Sequence, residues 1–144
     1  MLFIEKVERA LIKLVNKAYE ENEIPIAAVI TKGEEIVSKA YNTRNKTNNP
    51  LNHAEIICII EAAKKQKYWR LNGYNLYVTL EPCDMCKKII EEVGIDNVYY
   101  FLKRRKKYTT PETLYSYKKM YNDVFETKIT MFFQKLRKES KWII

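Results

Sequence analysis

Histidine is nearly absent from this chain: 144 residues contain one, His53. Any site that needs an imidazole must use that position. Long apolar runs are also missing. No stretch approaches the ~20 apolar residues of a membrane-spanning helix, and Met1 to Lys17 is amphipathic and acid-bearing, unlike a signal peptide. Cysteine is scarce and odd in number, three in all. That count does not make a disulfide framework, and a reducing, cytoplasmic setting is expected. Repeats, low-complexity linkers and domain-boundary signals are lacking. Residues 1–144 therefore read as one domain, large enough for a true core.

Acidic residues thin out towards the C-terminus. The net charge is +8, and residues 101–144 carry twelve Lys+Arg against four Asp+Glu, so the whole excess lies there. A one-sided basic segment suits a polyanionic partner, nucleic acid above all, better than a merely solvated lysine-rich tail.

Phe3, Val7, Ala10, Leu11, Leu14, Val15 and Ala18 recur at helical spacing, and this helix ends near Glu21-Asn22, before Pro25. Ile26 to Thr31 and Glu35 to Tyr41 read as a hairpin around Lys32-Gly33-Glu34. Asn42 to Asn52 reads as a loop. Helices follow at His53–Lys67 and after Cys83, with Gly94 as a C-cap. Strands follow at Tyr74–Leu80 and Asn97–Leu102, and the second pair should form a parallel, right-handed βαβ crossover. Pro111 to Asn122 and Thr127 to Glu139 read as two further helices. The order α-ββ-α-β-α-β-α-α predicts an α/β fold with a mixed β-sheet and helices on both faces.

Two short stretches carry the chemistry. His53-Ala54-Glu55 and Pro82-Cys83-Asp84-Met85-Cys86 supply one imidazole, one carboxylate and two thiols. The helix from His53 spans roughly 22 Å, and the strand from Tyr74 returns over roughly 23 Å. The strand therefore brings Cys83 back beside His53. Cys83 and Cys86 lie three apart on the first turn of the next helix, where the helix dipole favours thiolate. Three ligands with a carboxylate nearby describe a catalytic metal site, which keeps a position for water, rather than a closed structural one. A Pro-Cys-x-x-Cys pair alone would also suit a thioredoxin-like redox couple, but that leaves His53-Ala54-Glu55 without a role. Cys58 falls among the apolar positions of its helix and reads as core.

The pairing H-x-E … P-C-x-x-C is the signature of zinc nucleobase deaminases. Glu23-Ile24-Pro25-Ile26-Ala27-Ala28-Val29 resembles their E-x-P-[IV]-G-A-V strand, and Tyr41-Asn42 resembles their H-N. Asn52-His53-Ala54-Glu55-Ile56 and Thr79-Leu80-Glu81-Pro82-Cys83-Asp84-Met85-Cys86 resemble the zinc motifs of bacterial tRNA-specific adenosine deaminases. The likeness covers roughly residues 5–105. Five features depart from the pattern: Lys87-Lys88 after the second cysteine, Ala28 and Ala40 where glycine is common, Tyr100-Phe101-Leu102 without a small pair, Lys103–Lys107 in place of a more neutral loop, and a divergent C-terminal third.

The resemblance implies a three-layer α/β/α, cytidine-deaminase-like fold holding one Zn2+ per subunit on His53, Cys83 and Cys86. Glu55 would move protons. Asn42 would contact the base, Pro25, Ile26 and Ala27 would wall the pocket, and the Ala54 backbone N–H would face the base edge. The implied reaction is deamination of the wobble adenosine of a tRNA to inosine, by a homodimer that contacts the anticodon loop. Lys103, Arg104, Arg105, Lys106, Lys107 and Arg137 are the candidate RNA contacts. Two alternatives share the zinc motif: a deaminase of free guanine, cytosine or cytidine, and a non-catalytic, zinc-stabilised RNA-binding subunit.

Overall fold

The computed structural model describes residues 2–104, 116–120 and 122–139. Helix α1 (Phe3–Glu20) leads into strands β1 (Ala27–Lys32) and β2 (Glu35–Tyr41). A single helical turn, α2 (Arg44–Thr47), precedes α3 (Ala54–Gln66). Then come β3 (Asn75–Leu80), α4 (Asp84–Val93), β4 (Asn97–Leu102), β5 (Ser116–Lys119) and α5 (Asp123–Glu139).

The sheet order is β2-β1-β3-β4-β5. β1 is antiparallel to both β2 and β3, whereas β3, β4 and β5 run parallel. The alternation of β1 explains the layers. Ala28 and Ile30 point into one core, with Cys58, Ile59 and Ala62 of α3 and Ile90 of α4. Ala27 and Val29 point into the other, with Val7, Leu11 and Val15 of α1 and Phe125 of α5. Successive strand residues face opposite sides, so a central strand must be apolar on both. This is the expected α/β/α arrangement with a mixed sheet.

The crossover β3–α4–β4 is parallel, with Leu76 beside Val98 and Leu80 beside Leu102. Gly94 ends α4 at φ 77°, in the left-handed region that favours glycine. A Cβ there would lie 2.6 Å from the side-chain nitrogen of Asn72.

Three elements differ from the sequence reading. Ser116–Lys119, read as part of a helix, is a strand paired in parallel with β4. The apolar spacing around Tyr117 fits a helix over a short window, but the free edge of β4 offers backbone partners, and Met120 N–H donates to Tyr100 O. Residues 111–115 and 121 of that reading lie outside the described residues. Helix α5 starts at Asp123 rather than Thr127, because the Asn122 side-chain oxygen accepts the Val124 N–H at 3.0 Å. The loop 42–52 contains α2. Its first turn is held by buried Glu23, whose two oxygens accept the N–H groups of Asn45 and Lys46 at 3.0 and 2.7 Å.

Candidate active site

The C-terminal end of β3 and the N-terminal ends of α3 and α4 meet at one point. His53 is the residue before α3, in extended backbone. Cys83 is the residue before α4, and Cys86 lies in its first turn. The His53 Nδ1 is 3.7 Å from Cys83 Sγ and 3.6 Å from Cys86 Sγ. All three donor atoms lie within 4.8 Å of one another. A tetrahedral zinc ion with ordinary Zn–N and Zn–S lengths requires N···S edges of about 3.6 Å and an S···S edge of about 3.8 Å. The donor triangle fits zinc in size and in chemistry, and no fourth His, Cys, Asp or Glu joins it among the described residues.

A hydrogen bond from Cys86, helped by His53, holds Cys83 well below the usual thiol range. The same pairing, with burial, pushes Cys86 upward. Glu55, in the first turn of α3, is 3% exposed. Burial raises its carboxyl above the ordinary range, and the nearby Cys83 charge adds to this, while His53 and Arg104 oppose it.

His53 and Glu55 open onto a cavity of about 180 Å³. That is below the ~300–1,000 Å³ of clefts for drug-sized ligands, and suits one planar base. Ile24, Ile26, Leu80, Ile129 and Phe133 form its apolar walls, and Asn42, Arg44 and Arg104 complete it. Asn42 is 4% exposed, and its Oδ1 accepts the Arg44 N–H at 2.9 Å. Its amide nitrogen is therefore the end left to face a ligand.

Of the residues singled out from the sequence, Asn42, Ile26, His53 and Glu55 line this cavity. Pro25 and Ala54 are buried but are not among its wall residues. Ala27 belongs to the opposite face of the sheet, with its N–H donating to Thr79 Oγ1 at 3.1 Å. Ile24 stands in its place as a wall residue. Among the cationic candidates, Lys103 is exposed and Arg137 is exposed near the end of α5. Arg104 instead turns back into the cavity. Arg105, Lys106 and Lys107 lie outside the described residues. Sequence reading did not single out Arg44, Ile24, Leu80, Ile129 or Phe133. Ile129 and Phe133 are an i, i+4 apolar pair on α5, but only docking of that helix reveals what they cover.

Lys87 and Lys88 separate in role. Lys88 is exposed, whereas Lys87 pairs with Glu81 at 3.0 Å in a mostly buried contact.

Residues 1–102 match the family model described as the cytidine and deoxycytidylate deaminase zinc-binding region. A tRNA-specific adenosine deaminase of Rickettsia bellii is 40% identical over 94 residues, covering 64% of this chain and 65% of that protein. One of Bacillus subtilis is 42% identical over 89 residues, covering 62% and 55%. The matched region thus spans less than two thirds of the length of these relatives. A structure from a study of A-to-I editing by tRNA:A34 deaminases superposes with a TM-score of 0.71 at 27% identity, covering 78% of this chain and 95% of that one. The guanine deaminase of Bacillus subtilis superposes with a TM-score of 0.62 at 30% identity, covering 67% and 64%. The fold, the donor triangle and the match over residues 1–102 agree, and the chain belongs to the zinc-binding cytidine and deoxycytidylate deaminase family.

Proposed function

We propose that this protein deaminates adenosine to inosine at the wobble position of a tRNA, with one zinc ion per subunit. The observation that carries the reading is the placement of Glu55 and Asn42 in one small cavity beside the His53–Cys83–Cys86 triangle. The names of the relatives supply the substrate class.

His53, Cys83 and Cys86 would hold the zinc, which when bound lowers the pKa of a water to about 7. Glu55 is placed to do the proton work. It takes a proton from the attacking water and delivers it to the ring nitrogen beside the reacting carbon. It then carries the proton of the newly bonded hydroxyl to the amine, so that the C–N bond breaks, ammonia leaves and the oxygen remains as a carbonyl on the carbon. Asn42 offers its amide N–H to a ring acceptor. Ile24, Ile26 and Leu80 press on the faces of the base, and Ile129 and Phe133 of α5 exclude water. A base must leave its stack to enter such a cavity, and anticodon loops present unstacked bases. A tRNA substrate places the reaction in the cytoplasm.

A homodimer belongs to this reading. Leu51, Ile60, Met85 and Ile89 are 54%, 49%, 37% and 37% exposed on α3, α4 and the loop before α3. Light scattering should give twice the chain mass, and a monomer at micromolar concentration would remove the dimer from the proposal.

The zinc-loaded protein, incubated with a tRNA bearing adenosine at the wobble position, should produce inosine, and Glu55→Ala should not. Absence of inosine from every cellular tRNA would overturn the reading. A second reading, deamination of a free purine, draws on the small size of the cavity and the guanine-deaminase likeness. Ammonia release from free nucleobases, with none from tRNA, would favour it. Tight RNA binding without turnover of any base would instead point to a non-catalytic subunit.

A further inference from the structure

Two arginines reach the cavity, Arg44 from α2 and Arg104 from the end of β4. A buried carboxylate fixes the backbone at each, at Arg104 directly and at Arg44 through the two residues that follow it. Glu81 is 6% exposed, and its Oε1 accepts the Arg104 backbone N–H at 3.2 Å, while its carbonyl accepts Arg104 Nε–H at 3.1 Å. Arg104 does not neutralise that carboxylate, because Lys87 does, at 3.0 Å. Arg44 sits in the turn that Glu23, 1% exposed, fixes through the next two backbone N–H groups. Its own N–H is taken by Asn42, so the Asn42 amide and Arg44 are set together. Among the described residues neither guanidinium forms an ion pair. Two arginines with no ion-pair partner within 4 Å among the described residues therefore stand at the cavity, Arg104 with its charge felt by Glu55.

A neutral base offers arginine uncharged ring and carbonyl acceptors but no anionic group. A nucleoside monophosphate offers one anionic group. A nucleotide inside a strand offers a phosphodiester on each side, and arginine geometry suits phosphate. We propose that Arg44 and Arg104 grip the two phosphates that flank the nucleotide whose base enters the cavity. The site thereby selects a strand-internal nucleotide over a free base or nucleoside. This assignment rests on the reading of the cavity as the seat of a base in RNA. It differs from a general basic surface, because it names two contacts and their position relative to the target.

The test uses the zinc-loaded full chain carrying Glu55→Gln, which stops turnover, and an RNA hairpin with one loop adenosine. Binding is measured by fluorescence anisotropy across a salt series. Arg44→Ala and Arg104→Ala should each reduce the slope of log K against log salt by about 0.7, the value for one phosphate contact on a single strand. Arg44→Lys and Arg104→Lys, which keep the charge, should retain the slope. Lys32→Ala, at the far turn of the β1–β2 hairpin, should retain it as well. A methylphosphonate linkage on one side of the target adenosine should reproduce the loss from one arginine, and should add nothing to the alanine variant of that arginine. Unchanged slopes, or losses that add to both methylphosphonates, would overturn the clamp. Inosine formation by the protein with Glu55 intact is read separately. If inosine forms while the losses add, the clamp fails and the reaction stands. If the losses coincide while no base is deaminated, the reaction fails and the clamp stands.

Discussion

The Lys87 ammonium and the Glu81 carboxylate lie 3.0 Å apart with side chains 11% and 8% exposed. This pair accounts for a departure from the family pattern, a lysine directly after the second zinc-motif cysteine. Removing only the lysine leaves a buried carboxylate without its counter-ion, with the Arg104 N–H still donating to it, which costs more than the pair contributes. Lys87→Met should destabilise the fold by about 2–3 kcal/mol in chemical denaturation, below the 3–5 kcal/mol of a fully enclosed pair. Glu81→Gln combined with Lys87→Met should recover part of that loss. Equal stability of Lys87→Met and wild type would contradict the pairing.

Glu23 makes a separate prediction. Its carboxylate accepts two backbone N–H groups of α2, and a hydrogen bond to a charged group contributes about 1.5–3 kcal/mol. Glu23→Ala should speed hydrogen exchange at the Asn45 and Lys46 amides by at least tenfold, while amides of the central strands stay protected. Unchanged exchange at these two amides would remove Glu23 as the anchor of that turn.

Cys58 is fully buried, with Ser38 Oγ 3.1 Å from its sulfur. Burial pushes its thiol from the ordinary 9.0 up to about 12. Folding therefore favours the protonated form. The resulting stability is complete below pH 9 and is lost as pH rises towards 12. Cys58→Ala should flatten the alkaline arm of the stability profile, although the smaller side chain lowers stability at neutral pH. Alkylation at pH 8 should leave Cys58 unmodified in the folded protein. Its modification at a rate like that of Cys83 would contradict this.

The thiol pair predicts the proton count of metal uptake. Cys83 is held down and Cys86 up by one shared hydrogen bond, so the metal-free pair carries a single proton at neutral pH. Zinc binding at pH 7.5 should release about one proton per site rather than two. Calorimetry in buffers of different ionisation enthalpy measures the count. Two protons would show that both thiols are protonated before the metal arrives.

The zinc motifs were legible because their chemistry is local. His53 with Glu55, and Cys83 with Cys86, are each fixed by one turn of backbone. The helix–strand lengths that bring them together follow from residue counts alone. Strand alternation was equally available for the pocket wall. Ile26 and Ala28 share one face, so Ala27 had to lie on the other, as it does. What escaped the sequence depended on docking. Ser116–Lys119 has no strong strand pattern and takes its form from the edge of β4. Ile129 and Phe133 read as an ordinary apolar stripe until α5 is placed over the cavity. Arg104 read as one member of a cationic run, and only the Glu81 contacts turn it inward.

The most direct test of the central claim follows the oxygen atom. Wobble-adenosine tRNA is incubated with the zinc-loaded protein in ¹⁸O-labelled water, and the nucleosides are analysed by mass spectrometry. Hydrolysis at this site predicts inosine carrying one heavy oxygen, an equal amount of ammonia, and neither product from Glu55→Ala. Unaltered adenosine with wild-type protein, or the same yield from Glu55→Ala, would contradict the account.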